Sequence, residues 1–151
     1  MDSEVKGVFR AAFVAIVVCA AIALLRSPAM SQCPQWDATQ IYSIKQSNNI
    51  VVKVGLNQRG PRLSGNAFFQ GKSGQEHGTI SATFQGDAFK MEIKWDYGET
   101  GVYVGKRIEE KAPVGKLSYL VGEAYIKEQP NNNSRRTTWR GSHALHCYQG
   151  R

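Results

Sequence analysis

Within residues 87–95, DAFKMEIKW, apolar and polar side chains alternate from Phe89 to Trp95. Phe89, Met91, Ile93 and Trp95 fall on one face; Lys90, Glu92 and Lys94 fall on the other. A period of two fits a half-buried antiparallel strand and excludes an amphipathic helix. The alternation recurs. Ile50, Val52, Val54 and Leu56 are interleaved with Lys53 and Gly55, and Ile80, Ala82 and Phe84 with Ser81 and Thr83. Eight such segments lie near 40–46, 50–57, 62–70, 77–85, 87–96, 100–108, 117–127 and 136–147. Most are separated by short turn signals such as Ser47-Asn48-Asn49, Arg59-Gly60-Pro61, Gln85-Gly86 and Tyr97-Gly98. Short hairpins throughout favour a meander over a Greek key, which needs a long return connection.

The predicted fold is all-β: an eight-stranded antiparallel up-and-down barrel, preceded by an N-terminal signal or anchor helix. Of the fifteen glycines, Gly55, Gly65, Gly78, Gly105, Gly122 and Gly141 fall inside predicted strands. A glycine weakens a strand and is kept where the sheet bends, so about one per strand fits a closed, curled sheet. A barrel of eight strands is either filled by its own side chains or holds one small ligand. At 151 residues, with 42% hydrophobic and 21% charged residues, the chain suits one globular domain and excludes disorder throughout.

Residues 1–31 read as a targeting segment. Lys6 and Arg10 precede AAFVAIVVCAAIALL, an uncharged run from Ala11 to Leu25. That length suits a signal-peptide core and falls short of the about 20 residues of a bilayer span. Ala29-x-Ser31 fits the small-x-small cleavage rule, so the mature domain is expected over 32–151. Asp2 and Glu4 weaken the positive N-terminal region, which leaves an uncleaved membrane anchor as the competing reading. The expected location is periplasmic or extracellular. Cys19 leaves with the segment, and Cys33 and Cys147 remain, one near each end of the mature domain. An even pair in an exported chain predicts a disulfide. In a closed meander the first and last strands are neighbours, which would bring the two cysteines together.

The stretch Gly86 to Gly105, GDAFKMEIKWDYGETGVYVG, resembles the middle of avidin- and streptavidin-type barrels. Trp95, Tyr97, Tyr103 and Gly105 stand where that family has a Trp-ended strand, a polar turn and an aromatic strand with glycine. Leu63-Ser64-Gly65 with Phe68 and Phe69, His77-Gly78-Thr79, and Trp139-Arg140 are similar to the third, fourth and last strands. The resemblance implies a ligand at the barrel mouth. It reaches residue by residue only to Trp95, Tyr97 and Tyr103, as ligand-wall aromatics. The family's first-hairpin Asn and Ser have no match at Asp37, Ala38 and Thr39. Its stacking Trp of the seventh strand is replaced by Tyr119 or Tyr125, and its last strand ends here in Leu145, His146 and Cys147. Biotin is therefore expected to bind weakly, if at all.

Other motifs carry less. His143 and His146, three apart on a strand, point to opposite faces and cannot chelate a metal together. His77 stands in a Gly-rich turn beside Glu76. Gly71-Lys72-Ser73 lacks the earlier glycine and the following helix of a phosphate loop. Asn132-Asn133-Ser134 is a formal glycosylation sequon, with meaning only in a eukaryotic secretory route. No catalytic constellation, metal site or cofactor motif emerges. The expected function is a non-enzymatic exported binding module for a small cyclic or apolar ligand, with Trp95, Tyr97 and Tyr103 as its wall and no cofactor. The alternative is a filled barrel acting as a basic envelope or surface-interaction protein. Its partner would be an anionic surface polymer or lipid headgroup, met through Lys90, Lys94, Lys106, Arg107, Lys111, Lys116, Arg135, Arg136 and Arg140. The net charge of +7 supports that alternative. Nucleic acid is disfavoured in an exported chain, and a membrane would be met only through an uncleaved N-terminus.

Overall fold

A computed structural model describes residues 33–148. The segment 1–31 expected to be a signal or anchor helix, with Cys19 and the expected Ala29-x-Ser31 cleavage site, lies outside the described residues. Ten strands follow in chain order. They are β1 (Trp36–Asp37), β2 (Ser43–Gln46), β3 (Val51–Arg59), β4 (Arg62–Gly71), β5 (Gly74–Gln85), β6 (Ala88–Trp95), β7 (Thr100–Ala112), β8 (Gly115–Ile126), β9 (Thr137–Gly141) and β10 (His146–Cys147). Strands β2 to β9 pair antiparallel in sequence order and close into a barrel. Closure is made by backbone pairing of β2 with β9, Ile44 opposite Gly141 and Gln46 opposite Trp139. The expected eight-stranded meander is thus the observed one.

Each alternating run buries its apolar face inward. Val52, Val54 and Leu56 do so on β3, Ile80, Ala82 and Phe84 on β5, and Phe89, Met91, Ile93 and Trp95 on β6. Burying each large apolar side chain stabilises by about 1.5–3 kcal/mol. The outer face carries Thr79, Ser81, Thr83, Lys90 and Lys94, where a membrane barrel would present apolar groups. Two inward glycines mark where neighbouring strands press together. A Cβ on Gly65 would collide with the carbonyl of Gly55, and one on Gly122 with that of Val104. Gly78 and Gly105 are similarly crowded by the Trp95 and Trp139 rings. Gly55 faces open space and Gly141 makes only ordinary contact with Ile41, so the curvature expected of them is not needed there.

The two barrel ends differ. One end, the floor, carries the β3–β4, β5–β6 and β7–β8 turns and both terminal segments. There β1 and β10 pair in a small separate sheet, Trp36 opposite Cys147. Ala38 and Ile41 follow and seal the core. Gln58 continues the inward row of β3 and holds this plug. Its amide nitrogen donates to the carbonyls of Trp36 at 2.7 Å and Gly60 at 3.0 Å, while its oxygen accepts from the Ala38 N–H at 2.9 Å. Gln35 donates to the Phe84 carbonyl at 2.8 Å. Above the plug, Phe84, Phe89 and Trp139 interlock edge to face, with neighbouring centroids 5.8 Å apart, and fill the lower barrel.

The predicted last strand, 136–147, needs correction. It breaks after Gly141, because the chain leaves the barrel to reach the floor. Cys33 and Cys147 are joined in a disulfide, but the bond staples the β1–β10 ribbon and does not close the barrel. Barrel closure needs only the β2–β9 hydrogen bonds.

Candidate functional site

The other end, the mouth, carries the β2–β3, β4–β5 and β6–β7 turns and the long β8–β9 connection. It opens on a cavity of about 320 Å³, near the lower bound for small-molecule sites. Its walls include Trp95, Tyr97 and Tyr103, the three residues singled out from the sequence.

Trp95 ends β6 on the inward face, and 6% of its surface is exposed. The glycines of the two flanking strands make room for its indole. A Cβ on Gly78 of β5 would stand 2.9 Å from Trp95 Cε3, and one on Gly101 of β7 would stand 3.1 Å from Trp95 Nε1. Phe69 of β4 meets the indole edge-on, centroids 4.9 Å apart. The β6–β7 turn is closed by the Gly98 N–H donating to the Trp95 carbonyl at 3.0 Å, with Gly98 at φ 98°. This turn brings Tyr97 back over Trp95 with its ring nearly parallel, 6° between planes and 6.3 Å between centroids. Tyr97 is 48% exposed at the rim. Its hydroxyl is held above the usual phenol value, first by burial and then by the carboxylates of Glu99 and Glu76.

Tyr103 lies deeper, on β7, and 3% of its surface is exposed. Its oxygen accepts from Gln46 Nε2 at 2.8 Å, and its ring meets Trp139 at 6.2 Å. Burial is the main cause that pushes its hydroxyl far above the ordinary phenol value, so it remains a neutral O–H. At the rim, Arg135 forms a two-pronged ion pair with Glu99, at 2.8 and 2.9 Å. The pair ties the β8–β9 connection to the β6–β7 turn and leaves the mouth close to neutral.

Sequence reasoning missed Gln46, Phe69 and Gly101 as site residues. Gln46 carried a signal, since it continues the inward row of β2 with a polar side chain. Asp37, Ala38 and Thr39, where the family's first hairpin was sought, belong to the floor plug. The barrel's own first hairpin is β2–β3, and its Asn48 lines the cavity. Tyr119 and Tyr125 receive arginines on their faces, Arg140 at 4.1 Å and Arg136 at 5.1 Å, and Tyr125 also lines the cavity.

Most of the nine basic residues expected to meet an anionic partner are paired with carboxylates. Arg107 pairs with Asp87 and Glu109, Arg140 with Glu110, Arg136 with Glu123, and Lys90 and Lys116 with Glu92 and Glu109. Of the nine expected to meet an anionic partner, Lys94, Lys106 and Lys111 stand outside the ion pairs of the described residues. His143 bonds the Ser142 hydroxyl at 2.7 Å and lies edge-on to Tyr42. His146 sits on β10 at the floor, and His77 packs against Phe68 outside the barrel. No group of three or more metal-ligating side chains occurs among the described residues.

Compared with protein-family models, curated proteins and solved structures, the chain matches none.

Proposed function

We propose that this chain is an exported, non-enzymatic binding module that takes a small, flat cyclic molecule into the barrel mouth. The observation that carries this reading is the open cavity walled by Trp95, Tyr97 and Tyr103 above a lower barrel packed with Phe84, Phe89 and Trp139. A barrel that only needed stability could continue its core to both ends. Here the filled lower barrel ends at Trp139 and Tyr103, and above it Trp95, packed against Phe69 and Tyr97, borders the open space. Each ring contact with a flat ligand contributes about 0.5–1.5 kcal/mol beyond area burial. The eight-stranded closed barrel with an open mouth supports the avidin-type resemblance read from the sequence as far as its plan goes. The disulfide supports an oxidising, extracytoplasmic compartment.

The alternative, a basic surface-interaction protein, is weakened by ion pairs that engage six of the nine cations it would rely on. The test is a panel of flat mono- and bicyclic compounds screened by ligand-observed NMR and tryptophan fluorescence. Hits should quench fluorescence, compete with one another and be lost in Trp95→Ala. Hits that persist in Trp95→Ala, or a panel with no hit at millimolar concentration, would reject the site.

A further inference from the structure

Between Asp37 and Glu76 the chain carries Lys45, Lys53, Arg59, Arg62 and Lys72 and no acidic residue. This stretch builds β2, β3 and β4. All five cations are exposed. The ion pairs of the described residues all join side chains within 87–140, so none of the five has a carboxylate partner there. The barrel wall is therefore divided, with both signs of charge over β6 to β9 and cations alone over β2 to β4. On the outer face of the β3–β4 hairpin, Lys53 stands opposite Phe68, Gly55 opposite Asn66, Asn57 opposite Ser64 and Arg59 opposite Arg62. Lys45 lies one strand over, opposite Val51. Two cation pairs thus mark the ends of one face, Lys45 with Lys53 towards the mouth and Arg59 with Arg62 towards the floor. Lys53 and Arg59 lie about 20 Å apart at the usual rise of a strand. The strip between them is uncharged, and a Cβ on Gly55 would meet nothing within 4 Å, so the backbone there is open to close approach. Asp37 shares a hollow with Arg59 but is held by the Thr39 N–H and hydroxyl at 2.8 and 2.7 Å.

We infer that the outer face of β2 to β4 binds a linear anionic polysaccharide, laid along the strands with its carboxylate or sulfate groups at the two cation pairs. This surface lies on the barrel wall and does not draw on the mouth reading. None of its cations is among the nine expected from the sequence to meet an anion. Like charges directly opposite each other destabilise a hairpin, and Arg59 faces Arg62 with no carboxylate between them; a bound anion relieves that repulsion. The span decides the kind of anion. A free phosphate or a single headgroup reaches one end only, whereas a chain of several sugar rings reaches both. The strip between the ends suits a hydroxyl-rich partner, because Asn57, Ser64 and Asn66 are exposed and offer both donors and acceptors. Phe68, 41% exposed beside Lys53, presents its ring to the C–H face of a sugar. A membrane surface is disfavoured because the exposed apolar side chains, Val51 and Phe68, stand at one end of the face only. A nucleic-acid strand is disfavoured because successive bases need successive aromatic platforms, and Phe68 is the one exposed aromatic on these three strands.

The experiment titrates the protein with heparin-derived oligosaccharides by calorimetry at low and moderate salt. The octasaccharide should bind, more weakly as salt rises, and the disaccharide should bind at least about tenfold more weakly because it cannot bridge the two ends. Lys53→Glu with Arg59→Glu should weaken the octasaccharide at least about tenfold. Lys94→Glu with Lys106→Glu makes the same change in net charge on β6 and β7 and should leave the affinity within about twofold. All four side chains are exposed, so both variants should fold, and thermal melts confirm it. Phe68→Ala should weaken the octasaccharide several-fold. Equal loss in the two charge variants, equal affinity for the two fragments, an affinity untouched by Phe68→Ala, or no octasaccharide binding at low salt would each overturn the proposal. Phosphatidylglycerol vesicles and a single-stranded oligonucleotide are titrated in parallel. Tighter binding of either than of the octasaccharide, lost in Lys53→Glu with Arg59→Glu, would overturn the polysaccharide assignment and give the face to that partner. The flat compounds that test the mouth should bind both charge variants as they bind the native protein, so the two readings fail separately.

Discussion

At the scale of single residues, the stacked pair at the mouth separates binding from stability. Trp95 is buried against Phe69, Gly78 and Gly101, so Trp95→Ala removes core as well as wall. Truncating a buried Trp costs about 3–5 kcal/mol, and its urea midpoint should fall accordingly. Tyr97 is half exposed and touches mainly the Trp95 face. Tyr97→Ala should change stability by less than about 1 kcal/mol yet weaken flat probes several-fold, which titration calorimetry would resolve. Tyr103 gives a pH signature. Its folded-state value is raised above the unfolded phenol value of about 10. Its contribution is therefore fully present below pH 10 and lost as pH rises towards the folded value, because the unfolded chain ionises first. Melting temperature measured from pH 8 to 11 should fall more steeply for the native protein than for Tyr103→Phe. Parallel curves would show that the hydroxyl is not held neutral by burial.

At the scale of strands, two glycines that look alike in sequence act oppositely. Gly122 faces inward where β7 crosses close to β8, and a methyl there would strike the Val104 carbonyl. Backbone cannot yield as a side-chain tip can. Gly122→Ala should destabilise by about 1–3 kcal/mol, as overpacking does. Gly55 faces open space on β3, and Gly55→Ala should stay within about 0.5 kcal/mol of the native protein. Guanidinium unfolding of both variants checks the contrast, and equal effects would refute the close-approach argument. Period-two alternation made the eight barrel strands legible, because each buries one face and sets its own register. That signal needs several residues to show. The pairs Trp36–Asp37 and His146–Cys147 are too short to alternate, so the floor sheet was hidden and residues 142–147 were read as barrel. Trp95, Tyr97 and Tyr103 were legible because strand and turn place them near in sequence. Gln46 and Phe69 reach the same cavity from hairpins formed by distant segments, and only closure of the sheet brings them there. Gly101 carries no signal in sequence because its role is the room it leaves for the Trp95 indole of the neighbouring strand.

At the scale of the whole molecule, mouth and floor are built by different parts of the chain and should respond independently. The floor depends on the terminal segments, and the Cys33–Cys147 bond closes a loop with a sequence separation of 114. Constraining the unfolded chain over such a loop stabilises by at most about 4–5 kcal/mol. Once the bond is cut, Gln58 and Gln35 still hold the plug through hydrogen bonds to Trp36, Ala38 and Phe84. The barrel itself closes through β2 and β9, far from both sulfurs in its hydrogen bonding. The reduced protein, or the double variant Cys33→Ser with Cys147→Ser, is therefore expected to remain folded, with a melting temperature lower by about 5–15 °C for a domain of this size. The mouth lies at the opposite end, so probe affinity and the Trp95 indole resonance should stay unchanged below that melting point. Calorimetry with and without reductant tests the first part, and probe titration of the same two samples tests the second. Two free thiols found by alkylation of the native protein, or identical melting of both samples, would overturn the role of the bond. A loss of probe binding on reduction would show instead that floor and mouth are coupled through the packed interior.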